Sequence, residues 1–319
     1  MLSGEKIQVF SMYDDKNDAK DNQYFPSEIF KGYGKRKWLF VLSSLWHARK
    51  SDVVIMSHIN LLIIGWMIKK IYPTKRIVLL AHGIEIWNPL SAWKRKMLNA
   101  CDRVCSVSHF TKNKILKEHA LTDSKNYVLN NCIDPFLPTG KEFSRNGTLR
   151  NHLHISTDEI VLFTLSRLAS RERYKGYDQV VGSLPELLKI HPNVKYVIGG
   201  TYDREEKEYL EKIAQASGVM DKIILTGFIP EHELVEYFKM SDIYIMPSVK
   251  EGFGIVFVEA MYYGLPVIAG NKDGSTDALL NGELGILVDP ENKRELVDAA
   301  CAIIENREAH LPNQSKLLQ

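Results

Sequence analysis

The chain has 319 residues, more than one hydrophobic core usually serves, and its 45% hydrophobic and 25% charged residues are the balance of a globular protein, which predicts two domains. A formal net charge of +2 and a pI near 8.2 are too mild for nucleic acid as the main partner and stay compatible with an anionic small ligand. Cys101, Cys105, Cys132 and Cys301 form no pair of close pairs and have no histidines at metal spacing, so they read as buried thiols in a reducing compartment rather than as a zinc site or a disulfide framework.

The first residues lack the charged-then-apolar build of a signal peptide, and the best apolar run, 61–68, is too short to span a bilayer. The expected location is the cytoplasm. Residues 6–12 alternate as a short strand and lead into a polar loop over 14–23. Helical spacing follows over 38–48, then a strand over 52–57, a helix over 61–72 and a strand over 76–81. The alternation runs on through a helix near 92–100, a strand over 104–107, a helix over 111–118 and a strand over 127–129, which predicts a parallel sheet.

Between 134 and 158 the pattern stops in a charged stretch with two prolines, the best linker in the chain, so the expected domains are 1–143 and 144–319. The second half restarts with strands over 160–165, 194–198, 223–226, 243–246, 267–269 and 286–288, among helices that include 177–190, 204–217, 231–240 and 291–304. Fold class α/β is predicted, as two doubly wound, Rossmann-like domains facing a cleft.

Several residues fall where strands end, the edge at which open α/β sheets bind ligands. His82 follows the strand 76–81 and is either a ligand contact or a histidine bonded inside its turn. Ser106, Ser108 and Asn130 have a plainer reading as cap and turn residues. Lys35-Arg36-Lys37-Trp38 and Trp93-Lys94-Arg95-Lys96-Met97 mix cations with large apolar side chains and suit an anionic membrane surface, although a solvated helix face is the simpler reading of each run.

The most informative stretch is Glu251-Gly252-Phe253-Gly254-Ile255, a glycine-containing loop after a carboxylate, running into a helix whose open start attracts anions. Glu259 projects from that helix near its second turn, placed as the acidic residue of other nucleotide sites is placed to accept from ribose hydroxyls. A second strand then follows at Leu265-Pro266-Val267-Ile268.

This whole string resembles the donor-site signature of glycosyltransferase family 4, the retaining "group 1" glycosyl transferases of GT-B architecture. The resemblance implies that Glu251 lies near the donor sugar, that the amides of Gly252, Phe253, Gly254 and Ile255 hold sugar hydroxyls and phosphate, and that Glu259 binds ribose. It also implies that His82 touches the sugar, and that Arg167 with Lys175 stabilises a departing nucleoside diphosphate, whose negative charge grows in the transition state. Gly200 would permit close approach, and Phe228 with Ile229 would wall the base.

A retaining transferase of cell-surface polysaccharide biosynthesis is therefore expected. It would use a nucleotide-sugar donor, a glycan or lipid-linked acceptor and no metal, with peripheral contact at an anionic inner membrane face. The family usually opens with a strand, a glycine loop and a helix; this chain is expected to lack that unit from its first domain. The alternative is a nucleotide-sugar-binding subunit that is transfer-deficient and acts through a partner.

Overall fold

The computed structural model describes residues 6–20, 22–138 and 147–318 and divides the chain into two compact units. The first holds Met1–Ser106 and Lys112–Val128, the second Val107–Thr111 and Leu129–Gln319. The predicted boundary between 143 and 144 lies outside the described residues. Residues just before it already side with the second unit: Asn130 Nδ2 donates to the Val107 carbonyl at 3.1 Å, Ile133 packs on that unit's core, and the Pro138 carbonyl accepts from the Tyr263 hydroxyl at 3.3 Å.

In the first unit, strands β1 (Val9–Ser11) and β2 (Phe30–Gly32) pair in parallel as a small sheet. Strands β3 (Val53–Met56), β4 (Arg76–Ala81), β5 (Arg103–Ser106) and β6 (Asn126–Val128) form a separate parallel sheet in chain order. A cavity of about 170 Å³ is lined by Gln8 and Phe10 at β1 and by Val53, Ile55 and Ser57 at β3 and just after it. β3 is the first strand in that sheet's order, so among the described residues its outer edge is open to further pairing. Helices Lys37–Ala48, Leu62–Ile71 and Ala92–Asn99 pack side by side in that order.

The second unit carries β7 (Ile160–Leu165), β8 (Val194–Gly199), β9 (Ile223–Gly227), β10 (Ile243–Met246), β11 (Val267–Gly270) and β12 (Ile286–Val288). They make one parallel sheet in the order β12-β11-β10-β7-β8-β9. Both faces are covered, because alternate residues of each strand enter opposite cores: Val161 and Phe163 one, Leu162 the other. The order reverses between β7 and β10, and that switch point is where a doubly wound sheet opens a crevice at its carboxyl ends.

The short helix Gly147–His152, ahead of β7, carries a buried ion pair. Arg150, 2% exposed, reaches Asp242 at 2.8 Å and donates to the carbonyls of Met240, Ser156 and Glu159, while Asp242 also accepts from the Val161 amide at 2.9 Å. The pair fixes the amino ends of β7 and β10. Among the described residues no helix is long and apolar enough to cross a membrane. The four cysteines are free, and Cys132, expected to be buried, is exposed in the irregular segment after β6.

Candidate functional site

Three loops of the second unit meet at the carboxyl ends of β7, β10 and β11. The loop after β7 carries Arg167 and the 3₁₀ turn Ser170–Lys175; the loop after β10 carries Glu251; the loop after β11 carries Asp273. Lys175 and Glu251 form an ion pair with both side chains largely shielded from solvent. Two features bring them together: the Val249 amide donates to the Tyr174 carbonyl at 2.9 Å, and a Cβ on Gly176 would stand 2.2 Å from the Pro247 carbonyl oxygen. Tyr174 is flanked by two ammonium groups, Lys175 at 5.7 Å and Lys250 at 5.8 Å from its ring centroid.

Two arginines of the 167–173 stretch have different partners. Arg173 is bound to the fully buried Glu206 at 2.9 Å and lies 3.6 Å from the Tyr209 ring, a structural arrangement. Arg167 sits at the strand end, 70% exposed and paired with Glu172.

Glu251 is held by its backbone as well. Its amide donates to Asp273 Oδ2 at 2.7 Å, and its carbonyl accepts from the Gly274 amide at 2.8 Å. Asp273 is fully buried and also accepts from the Ser248 hydroxyl at 2.7 Å and the Ser275 amide at 2.9 Å. Burial pushes its carboxyl up to about 6, against the opposing pull of those hydrogen bonds from Ser275, Ser248 and the Glu251 amide. This clamp was not read from the sequence; its only signal is an Asp-Gly pair after a strand, a pattern shared with ordinary turns.

Gly254 takes a left-handed φ of 84° and starts the helix Ile255–Tyr262 without a capping side chain. Amides at such a start have no carbonyl one turn back, so they remain available to an anion. Phe253 is buried in the core and anchors the loop, leaving its contribution to a ligand to its backbone. Glu259, on the second turn, is half-buried, and its carboxylate has no hydrogen-bond or ion-pair partner among the described residues. Burial, with Glu231 and Asp134 nearby, raises its carboxyl above the usual range. A carboxylate kept in that state gains from any ligand that donates hydrogen bonds to it.

The two expected base-wall residues differ in setting: Phe228 is 72% exposed, whereas Ile229, 8% exposed, packs into the core of the unit. The Ile229 Cδ1 fills the space that a side chain at Gly199 would need. At Gly200, with φ 131°, a Cβ would fall 1.9 Å from the Ser166 carbonyl oxygen, so the backbone packing alone requires glycine there.

In the first unit, His82 is exposed at the end of β4, its amide donating to Glu85 at 2.6 Å. Its Nε2 lies 2.9 Å from the Ser57 carbonyl, which only accepts, so Nε2 carries the proton and Nδ1 is the atom left to meet a ligand. Ser108 caps the helix His109–His119, accepting from the Thr111 amide at 3.0 Å, as the cap reading expects, whereas Ser106 is the buried last residue of β5 and donates across the sheet to Asn126 Oδ1 of β6 at 2.8 Å. Among the described residues no cluster of three His, Cys, Asp or Glu is gathered as a metal site requires.

Comparison with known proteins bears on this geometry. Residues 146–315 match the family described as glycosyl transferases group 1, and residues 4–136 match that described as glycosyltransferase family 4. The chain is 31% identical over 229 residues to the GDP-mannose-dependent alpha-(1-6)-phosphatidylinositol monomannoside mannosyltransferase of Mycolicibacterium smegmatis, covering 67% of this chain and 57% of the relative. It is 29% identical over 253 residues to the protein of that name in Mycobacterium tuberculosis, covering 73% and 61%. The chain thus spans about three fifths of the length of these curated relatives. Among solved structures, Anabaena HepE in complex with UDP superposes with a TM-score of 0.73 at 20% identity, covering 85% of this chain and 74% of that one.

Proposed function

The chain belongs to the group 1 glycosyl transferases, with the GT-B class of fold, and from that premise we propose that it is a retaining glycosyltransferase moving a sugar from a nucleotide sugar to a glycan or lipid-linked acceptor. The observation that carries the reading is the meeting, at the sheet's switch point, of the Lys175–Glu251 pair, an uncapped helix start and the unpartnered Glu259. Cation, free amides and carboxylate answer in turn to the diphosphate, the sugar hydroxyls and the ribose of a donor.

In this proposal Lys175 and Arg167 take the charge that grows on the leaving diphosphate, the role a metal plays elsewhere, so transfer needs no metal ion. Glu251 orients the sugar, and the leaving phosphate itself accepts the acceptor's proton. The mycobacterial relatives are named for GDP-mannose and for a phosphatidylinositol mannoside acceptor, and HepE is seen with UDP; these support a nucleotide-sugar donor and a lipid-linked acceptor for this chain. A role in cell-surface polysaccharide synthesis belongs to the same proposal. Incubation with a panel of nucleotide sugars tests it: release of nucleoside diphosphate with the anomeric configuration kept is the expected result. Donor binding without any release would instead support a transfer-deficient subunit.

Glu259→Ala is expected to weaken nucleoside diphosphate binding by roughly 1.5 to 3 kcal/mol, the range for hydrogen bonds to a charged group. A 2'-deoxy ligand already lacks part of what the substitution removes, so its loss should be smaller. Titration of both ligands against both proteins checks this, and equal losses would remove the ribose from Glu259. Because the unliganded carboxylate is desolvated without a partner, Glu259→Gln should also raise the melting temperature of the free protein near neutral pH.

Asp273 gives a pH dependence. Its folded value is raised, from 3.8 to about 6, so its contribution to stability is fully present below about 4 and is lost as pH rises toward 6. Loop order runs the other way, since only the ionised carboxylate accepts from Ser248, Glu251 and Ser275 together. We therefore expect kcat/KM with a sugar donor, whose diphosphate diester does not titrate there, to rise through an apparent value near 6. In Asp273→Asn that limb should vanish, and its persistence would assign it to another group.

A further inference from the structure

The charge of the chain is unevenly placed. Residues 29–101 hold thirteen lysines and arginines against two acids, Asp52 and Glu85, although the whole chain carries only +2. Every residue of that stretch belongs to the first unit.

The helix Lys37–Ala48 shows what the charge surrounds. Phe40 and Ala48 are buried, and Val41 and Leu45 pack on the unit's core, which accounts for one face. Trp38, Leu42 and Trp46 recur four residues apart on a second face and are 65%, 58% and 60% exposed. A helix that is apolar on both sides is expected to be covered on both sides. Lys35, Arg36, Lys37, Arg49 and Lys50 border the open face, and the Arg49 guanidinium lies 4.4 Å from the Trp46 ring centroid.

The same mixture continues across the neighbouring helices. Trp66 of Leu62–Ile71 meets the half-exposed Trp93 of Ala92–Asn99 edge-on at 5.0 Å, with Lys70 stacked 5.8 Å from Trp66 and Lys94, Arg95 and Lys96 following in sequence. Beside the first helix, a groove of about 830 Å³ is lined by the cations Lys16, Lys20, Lys31 and Arg36 against one acid, Glu28, and Leu42 of the exposed stripe forms part of its wall. The groove therefore joins a cationic pocket to the apolar face.

We propose that this face of the first unit docks on an anionic lipid bilayer, with Trp38, Leu42 and Trp46 entering the headgroup boundary and the groove receiving a phosphate-bearing headgroup. Indole rings favour the boundary layer, where the ring is buried and its N–H stays wet, and the surrounding cations find the negative surface they complement. The proposal stands on this surface alone and does not depend on the donor assignment. With a lipid-linked acceptor, it would hold the chain where that acceptor lies.

Flotation of the full chain with vesicles tests it. Vesicles of phosphatidylcholine with about one third phosphatidylglycerol should bind the chain more than about tenfold better than phosphatidylcholine alone, the advantage falling as salt rises. Tryptophan emission should shift to the blue on binding. Trp38→Ser with Trp46→Ser should abolish the shift and most of the binding, while circular dichroism and the melting temperature show that the variant is folded. As a second variant, Lys35→Glu with Arg36→Glu and Lys37→Glu should remove the preference for the anionic vesicles. Equal binding to both vesicle types, binding to neither, or binding unaffected by the tryptophan substitutions would overturn the proposal. So would a dimer in sedimentation velocity that is lost in the tryptophan variant, since the face would then belong to a second copy.

Discussion

Lys175→Ala is expected to lower kcat by about 10² to 10³, roughly 2.7 to 4 kcal/mol, while the Michaelis constant for the donor changes far less. The ammonium is held in place before any ligand arrives: Glu251 pairs with it, the Val249 amide ties its loop to the Tyr174 carbonyl at 2.9 Å, and Gly176 lies against Pro247 without room for a side chain. A cation already fixed where charge grows as the glycosidic bond breaks acts mainly on the transition state. Removing it also leaves the shielded Glu251 carboxylate uncompensated, which by itself would repel a diphosphate. Lys175→Ala combined with Glu251→Gln separates the two effects, because the second substitution relieves the repulsion without restoring the cation. Arg167, 70% exposed and paired with Glu172, should cost less turnover when replaced by alanine. Steady-state kinetics of the variants check the assignment. If Lys175→Ala raised only the Michaelis constant, the residue would be a ground-state contact and not a stabiliser of the leaving group.

The largest loss of stability is expected away from the site, at Arg150. Replacing it with alanine leaves Asp242 buried beside the Val161 amide without its cation and deprives the carbonyls of Met240, Ser156 and Glu159 of their donor. Breaking a buried pair from one side costs about 3 to 5 kcal/mol, which for a unit of this size lowers the melting temperature by roughly 6 to 20 °C. Arg150→Met with Asp242→Asn should recover much of that loss, since the amide oxygen still accepts from Val161 and no charge is stranded. Calorimetric melting of the three proteins checks both statements. A change of less than about 1 kcal/mol in Arg150→Ala would mean that the pair is not the anchor of β7 and β10.

The second unit was legible because a parallel strand covered on both faces must be apolar throughout, and Ile160–Leu165 or Ile243–Met246 can scarcely be read otherwise. The loop from Glu251 to Ile255 was legible because glycines beside a carboxylate at a helix start serve few purposes. Features that depend on distant partners were not. Arg150 lies in a stretch that reads as linker, and its role appears only when Asp242, 92 residues on, is placed beside it. Asp273 gathers donors from Ser248, Glu251 and Ser275, which no local pattern announces. The burial of Ile229 in the core is not marked by its position in a turn, and β2, only Phe30–Gly32, is too short to have a periodicity. The stripe of Trp38, Leu42 and Trp46 is hidden for the opposite reason: the helix is apolar on its inner side too, so no amphipathic pattern marks the outer one.

Isothermal titration with UDP and with GDP, each with and without EDTA, tests most directly the claim that the second unit holds a nucleotide-sugar donor through its own side chains and amides. The account predicts saturable binding of at least one of them, unchanged by EDTA and weakened in Glu259→Ala. No binding of either by the folded protein, or binding that disappears with EDTA, would contradict it.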